Sequence, residues 1–165
     1  MKNTYIPAKR KTKIVFVQLG SPTAPTAKAL RKFLKNFLGD PRVVDLNPYL
    51  WKLILNCFVL PFRPRRSAKL YARIWDGEKF PLIANTEKFT DKVREEIKRL
   101  DPGGLVEVDH AFLLSRPYVS DVYDSWEADL KNGTGATKLL VIPLFPQYSE
   151  STIASGIDAL GKEFT

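Results

Sequence analysis

At 165 residues, with 44% hydrophobic and 12% aromatic side chains, the chain is long enough for one globular domain with a substantial core and too short for two. Its single cysteine, Cys57, excludes an intrachain disulfide and fits a reducing, cytoplasmic compartment. The net charge of +8 conceals an asymmetry: residues 1–75 carry 16 Lys or Arg against Asp40 and Asp45, a balance of +14, whereas residues 76–165 carry 10 against 16, a balance of −6.

A basic half of this kind suits nucleic acid, an anionic membrane surface, or a small ligand bearing carboxylates or phosphates, with a merely solvated basic surface as the plain alternative. Residues 1–12 read as a basic, disordered leader without the apolar region of a secretory signal. No stretch approaches the roughly 20 apolar residues of a membrane span. Lys13 to Leu19, KIVFVQL, reads as a strand that ends at Gly20-Ser21-Pro22. Thr23 or Thr26 then offers an N-cap, and Ala29, Leu30, Phe33, Leu34, Phe37 and Leu38 recur at helical spacing up to Gly39-Asp40-Pro41.

The next segment, NPYLWKLILNCFVLPF over residues 47–62, is unusually apolar for a surface helix and either enters the core or forms an exposed lip. Cys57 lies inside it and is expected to be a buried, inert thiol. Arg63, Arg65 and Arg66 follow, then Lys69, Tyr71 and Arg73. Phe89, Val93, Ile97 and Leu100 mark the apolar stripe of a further helix, closed by Asp101-Pro102-Gly103-Gly104. Leu105 to Leu114 suggests a second parallel strand, and Pro117 to Leu130 another helix with Val119, Val122, Trp126 and Leu130 buried.

The last informative stretch is KLLVIPLFPQYSEST, Lys138 to Thr152: a buried strand, a proline-bracketed aromatic loop, then hydroxyls where a helix begins. Alternating strands and helices imply an α/β fold, a Rossmann-like domain with a three- to four-stranded parallel sheet flanked by helices. In such sheets ligands bind beyond the carboxyl ends of the strands, which is where this loop lies. The small number of strands suggests half of something larger.

Catalytic constellations are missing. His110 has no second His or Cys to form a metal site, and no Gly-rich phosphate loop is present. His110 reads as a hydrogen-bonded structural side chain within a strand. Ser21, Ser149 and Ser151 lack a nucleophile-elbow context and read as helix caps or ligand hydrogen-bonders. What remains is a binding surface. Arg63, Arg65 and Arg66 can clamp carboxylates, while Leu19, Phe62, Tyr71, Phe145 and Tyr148 can face a flat apolar body.

Four segments, VQLGSP, FLGDPRVVDL, LPFRPRRSAKLYARIW and IPLFPQYSEST, together resemble the amino-terminal half of ferrochelatase, in order and at similar spacing. The likeness is nearest to the branch found in Gram-negative bacteria. It implies insertion of ferrous iron into a porphyrin, protoporphyrin IX, to form protohaem, in a cleft between two Rossmann-like halves. Residues 13–165 would form the amino-terminal half-domain, with the apolar lip at about 47–62 and the carboxy-terminal half absent.

The resemblance implies substrate-binding roles for Leu19, Ser21 and Pro22 after the first strand, and for Arg63, Arg65 and Arg66 near the propionates. It implies further contacts from Tyr71 and from Tyr148, Ser149, Ser151 and Thr152 in the PQYSxST loop. Leu19 stands where members have Tyr or Met, so it offers no metal ligand. Phe80 replaces the usual Ser, Leu114-Ser115-Arg116-Pro117 replaces Tyr-Gly-x-Pro, and Glu150 stands where cluster-bearing members have cysteine. The implied catalytic histidine and glutamate belong to the other half. The chain is therefore expected to hold no catalytic residue, metal ligand, cofactor or iron-sulfur ligand, with ferrous iron as substrate of the parent enzyme. Its expected partners are the porphyrin, the other half and a peripheral membrane contact through the lip, with no nucleic acid. Two other readings remain: a non-catalytic module for porphyrin, haem or anionic lipid, and a nucleic-acid binder.

Overall fold

Three parallel strands organise the chain: β1 (Thr12–Gln18), β2 (Val106–Phe112) and β3 (Lys138–Pro143), in the order β2-β1-β3. These come from a computed structural model that describes residues 11–161. The register aligns Thr12 with Val106 on one side and with Lys138 on the other. The leader expected over residues 1–12 lies outside the described residues up to position 10; Thr12 already belongs to the sheet, its N–H donating to the Leu105 carbonyl at 2.8 Å.

Alternation along β1 sends Val15 and Val17 to one face, where they meet Ala111 of β2 and Val119 and Val122 of helix α5 (Val119–Lys131). Phe16 faces the other way, packing edge-on at 5.0 Å against Phe89 of helix α4 (Pro81–Leu100). Helices therefore cover both faces, as parallel strands require. On α4 the fully protected positions are Thr86 and Thr90, whose hydroxyls donate to the Leu82 and Thr86 carbonyls at 2.8 Å, whereas Phe89 and Leu100 keep substantial exposure. Leu130 on α5 is likewise exposed, and Tyr123 takes a buried place instead. β3, expected to be a buried strand, is instead half-exposed along its length, with Leu140 open, because only β1 pairs with it among the described residues.

Helix α1 (Ala27–Leu38) starts at Thr26, whose Oγ1 accepts the Ala29 N–H at 3.3 Å. Its Phe33, Leu34 and Leu38 form a core with Leu55 and Leu60 of the apolar segment. That segment is helical throughout: α2 (Pro48–Ile54), a π-helical turn (Leu55–Val59), and α3 (Leu60–Tyr71), followed by a 3₁₀ turn (Ala72–Ile74). Both sequence alternatives hold, one on each face. Trp51, Leu55, Val59 and Leu60 hold the segment to α1, helped by Trp51 Nε1–H donating to the Leu38 carbonyl at 2.7 Å. Tyr49, Phe58 and Phe62 are 87%, 66% and 71% exposed, and no residue of α2 is buried. Cys57 is exposed on this lip, contrary to the buried thiol expected, because it lies on the turn's outer side while the adjacent Leu55 carries the contact with α1.

Candidate functional site

A cleft of about 330 Å³ opens beyond the carboxyl ends of the strands. Leu19 enters it just past β1, Leu113 and Leu114 just past β2, and Ser151 from the segment beyond β3. The chain is held there by main-chain bonds that continue the sheet: Leu113 and Leu114 N–H donate to the Gln18 and Leu19 carbonyls, each at 3.0 Å. Gln18 ties down the loop after β3, its Nε2 donating to the Leu144 carbonyl at 3.0 Å while its Oε1 accepts the Leu19 N–H at 2.9 Å.

The turn after β1 needs glycine. Gly20 has φ +94°, and a Cβ there would collide with the Ser115 hydroxyl. The close approach lets Ser21 N–H donate to Ser115 Oγ at 3.3 Å, so Ser115 in the departing Leu114-Ser115-Arg116-Pro117 stretch stabilises the turn. Ser21 and Pro22 are buried, and line a small cavity of about 30 Å³ that shares Asn36 and Leu114 with the main cleft.

The hydroxyl run forms its own network. Ser149 and Ser151 pair through their Oγ atoms at 2.9 Å, and Thr152 Oγ1 donates to the Ser149 carbonyl at 3.4 Å. A π-helical turn (Glu150–Ala154) follows and leads into α6 (Ser155–Gly161). The expected side-chain cap at Ser149 is not formed, since its hydroxyl is directed to Ser151; the Ser149 carbonyl instead accepts the N–H groups of this turn. Tyr148 is exposed beside this loop.

The remaining sequence-derived residues are more dispersed. Arg63, Arg65 and Arg66 all lie exposed on α3, but at 3.6 residues per turn Arg63 and Arg66 are neighbours while Arg65 stands about 160° from Arg63. Arg65 lines a different cleft, with Lys28 and Arg31. Tyr71 is half-buried, edge-on to Phe80 at 5.4 Å, and Phe80 is a core residue also packed against Trp75 at 4.6 Å. Phe80 therefore replaces a hydroxyl with packing. None of the three arginines nor Tyr71 lines the main cleft. His110 is half-buried with its ring edge-on to Phe112 at 5.4 Å, but its Nδ1 has no hydrogen-bond partner among the described residues, unlike the bonded histidine expected.

The cleft also has a charged rim that no sequence motif marks as such. Asp40 and Asp158 line the cleft, and Arg42 joins them: its amide N–H donates to Asp40 Oδ1 at 2.8 Å, and its guanidinium forks onto both Asp158 carboxylate oxygens. The bond to Asp158 raises the Arg42 pKa above the usual arginine value, with smaller contributions from the Asp158, Tyr148 and Glu150 charges. Arg42 sits within the quoted FLGDPRVVDL run, so its neighbourhood was signalled; Asp158, 116 residues away, carried no signal.

Residues 11–165 match the family model for ferrochelatase. The chain belongs to the ferrochelatase family. It is similar to the ferrochelatase of Idiomarina loihiensis, 43% identical over 152 residues covering 92% of this chain and 40% of that protein. It is also similar to the ferrochelatase of Marinobacter nauticus, 42% identical over 92% of this chain and 40% of that protein. The coproporphyrin III ferrochelatase of Streptococcus mutans is 42% identical over 94% of this chain and 46% of its own length. The chain thus spans less than half the length of these ferrochelatase relatives. Among the described residues, no helix is long and apolar enough to cross a membrane.

Proposed function

We propose that this ferrochelatase-family chain supplies one wall of a porphyrin cleft, within a longer protein that inserts ferrous iron into protoporphyrin IX in haem biosynthesis. The observation that carries the reading is the convergence of Leu19 and Ser151 in the 330 Å³ cleft at the strand ends. Leu19 gives the macrocycle an apolar, non-ligating contact, and the Ser149 and Ser151 hydroxyls offer hydrogen bonds at the edge, with Tyr148, Thr152, Ser21 and Pro22 behind or beside them. Arg63 and Arg66, on one flank of α3, supply forks for the propionates, with Tyr71 on the same helix. The chain contributes no metal ligand or cofactor in this reading, and ferrous iron enters as substrate.

Metal insertion also requires a base for the pyrrole protons. The two carboxylates lining the cleft are both engaged, Asp40 by the Arg42 amide and Asp158 by the Arg42 guanidinium. In this reading the base belongs to the rest of the longer protein, as the family resemblance implies, and these 165 residues alone bind porphyrin without metallating it. The exposed Tyr49, Leu50, Leu53, Phe58 and Phe62 further suit the lip to a peripheral membrane contact.

Titration with protoporphyrin IX, read by the porphyrin absorption band, tests the site. Arg63→Ala and Arg66→Ala should each weaken binding by roughly tenfold, the scale of one charge-assisted contact. Equal affinity in all three proteins removes the propionate role, and metalloporphyrin formation by the 165-residue chain overturns its inactivity.

A further inference from the structure

A second cleft, of about 290 Å³, lies between the start of α1 and α3 on the side away from Arg63. Lys28, Arg31 and Arg65 line it, together with Leu60, Pro61 and Pro64, and no acidic residue does. No carboxylate pairs with any of the three cations among the described residues. Nor does the surrounding sequence supply one: residues 46–75 contain no Asp or Glu, and α1 contains none.

The cleft is built by a specific backbone defect. Pro64 has no N–H to return to the Leu60 carbonyl four residues earlier, which leaves that carbonyl without its helical partner. Arg31 Nε–H takes the place, donating to Leu60 O at 3.0 Å. One edge of the guanidinium is thereby fixed, and its Nη groups remain for a ligand. Lys28 stands one turn earlier on α1, where the amino-terminal end of the helix adds its own positive potential. Three cations around a space several times the roughly 30 Å³ share of a water molecule make an anion site.

The surface beside it indicates which anion. Phe62 precedes Arg65 by three residues, Arg66 by four and Lys69 by seven, so they share one stripe of α3, and exposed Phe58 continues it toward the lip. Apolar groups thus lead directly into the basic pocket. We propose that Lys28, Arg31 and Arg65 bind the phosphodiester headgroup of an anionic phospholipid, with Phe58 and Phe62 in its acyl region. The proposal rests on the membrane reading of the lip and gives Arg65 a partner other than the porphyrin.

The test compares the wild-type chain with Lys28→Glu/Arg65→Glu and with a charge-matched control on α4, Lys92→Glu/Lys98→Glu. Arg31 is left in place because it joins α1 to α3. Cosedimentation with phosphatidylglycerol-containing vesicles should show a loss of at least about tenfold for the first double variant only. An equal loss in the control reduces the effect to general charge and overturns the site. Undiminished binding by Lys28→Glu/Arg65→Glu overturns it too, and leaves the apolar lip reading standing if phosphatidylcholine vesicles also bind. A soluble short-chain phosphatidylglycerol, titrated below its micelle concentration, separates the remaining case. Binding that the first double variant loses supports the pocket even if no vesicle is bound and the lip reading fails, and absence of binding there and on vesicles overturns both. Competition by inorganic phosphate at equal strength reassigns the pocket to the free ion and overturns the lipid assignment.

Discussion

Strands β1 and β2 and the helical segment from Pro48 to Tyr71 carry comparably apolar sequence, but they reach opposite environments. Between the strands and their covering helices, Ala111 and Phe112 are fully buried and Val15 and Val17 nearly so. In the helical segment one stripe meets α1, and the opposite face leaves Tyr49, Phe58 and Phe62 in the open. β1 is paired along both edges and covered on both faces, so Val15, Phe16 and Val17 all find partners. The lip has a neighbour on one side only. Half of its apolar residues therefore stay in the open, and the membrane contact proposed above would cover them.

Paired substitutions break this comparison most directly. Phe112→Ala should cost about 3–5 kcal/mol, a large part of a domain's whole stability, read as a shifted urea midpoint. Phe62→Ala on the lip should stay within about 0.5 kcal/mol, as surface changes do. A Phe62→Ala cost approaching that of Phe112→Ala would mean that the lip is folded into a core after all. Cys57 provides an independent readout: its thiol should react fully with a thiol reagent in native buffer, and a requirement for denaturant would contradict its exposure.

A smaller effect separates two glycines that share positive φ. Gly20→Ala should cost about 1–3 kcal/mol and disturb the cleft, because strain adds to the clash with Ser115. Gly77, at φ +106° on the loop after the lip, meets nothing within 4 Å, so Gly77→Ala should cost only the conformational part, about 1 kcal/mol. Equal costs would show that the tight approach of Ser115 contributes nothing.

The strands, α1 and the alternation of elements were legible because their apolar periods have one interpretation. Thr26 was one of two candidate caps, and Lys13–Leu19 lay within one residue of the observed strand. The lip was ambiguous, since periodicity marks an apolar face without saying whether anything covers it, and Cys57 was misjudged for that reason. The site was legible as a set of motifs but not as an arrangement. Leu19 and Ser151 meet because the strands run parallel, whereas Arg63 and Arg65 part because positions two apart on a helix face opposite ways. Arg42 and Asp158 form a contact between distant segments, which no local pattern encodes.

The seam between the two regions gives the mildest and most selective prediction. Just past the helical segment, Asp76 Oδ1 accepts the N–H groups of Glu78 and Lys79 at 2.8 and 2.6 Å, closing the loop that delivers Phe80 to the core. The bonds from Lys79 and then Glu78 hold the Asp76 carboxyl below its usual pKa. A carboxylate with a depressed folded-state pKa stabilises the fold fully above its ordinary value, and that contribution disappears as pH falls through the lowered one. Asp76→Asn should therefore lose a small amount of stability near neutral pH, and the gap to wild type should close on acidification below the ordinary aspartate range. Thermal unfolding across pH measures both curves. A gap that stays constant down to acid pH would assign the loop's stability to shape alone, and would detach the helical segment from the carboxylate just past its end.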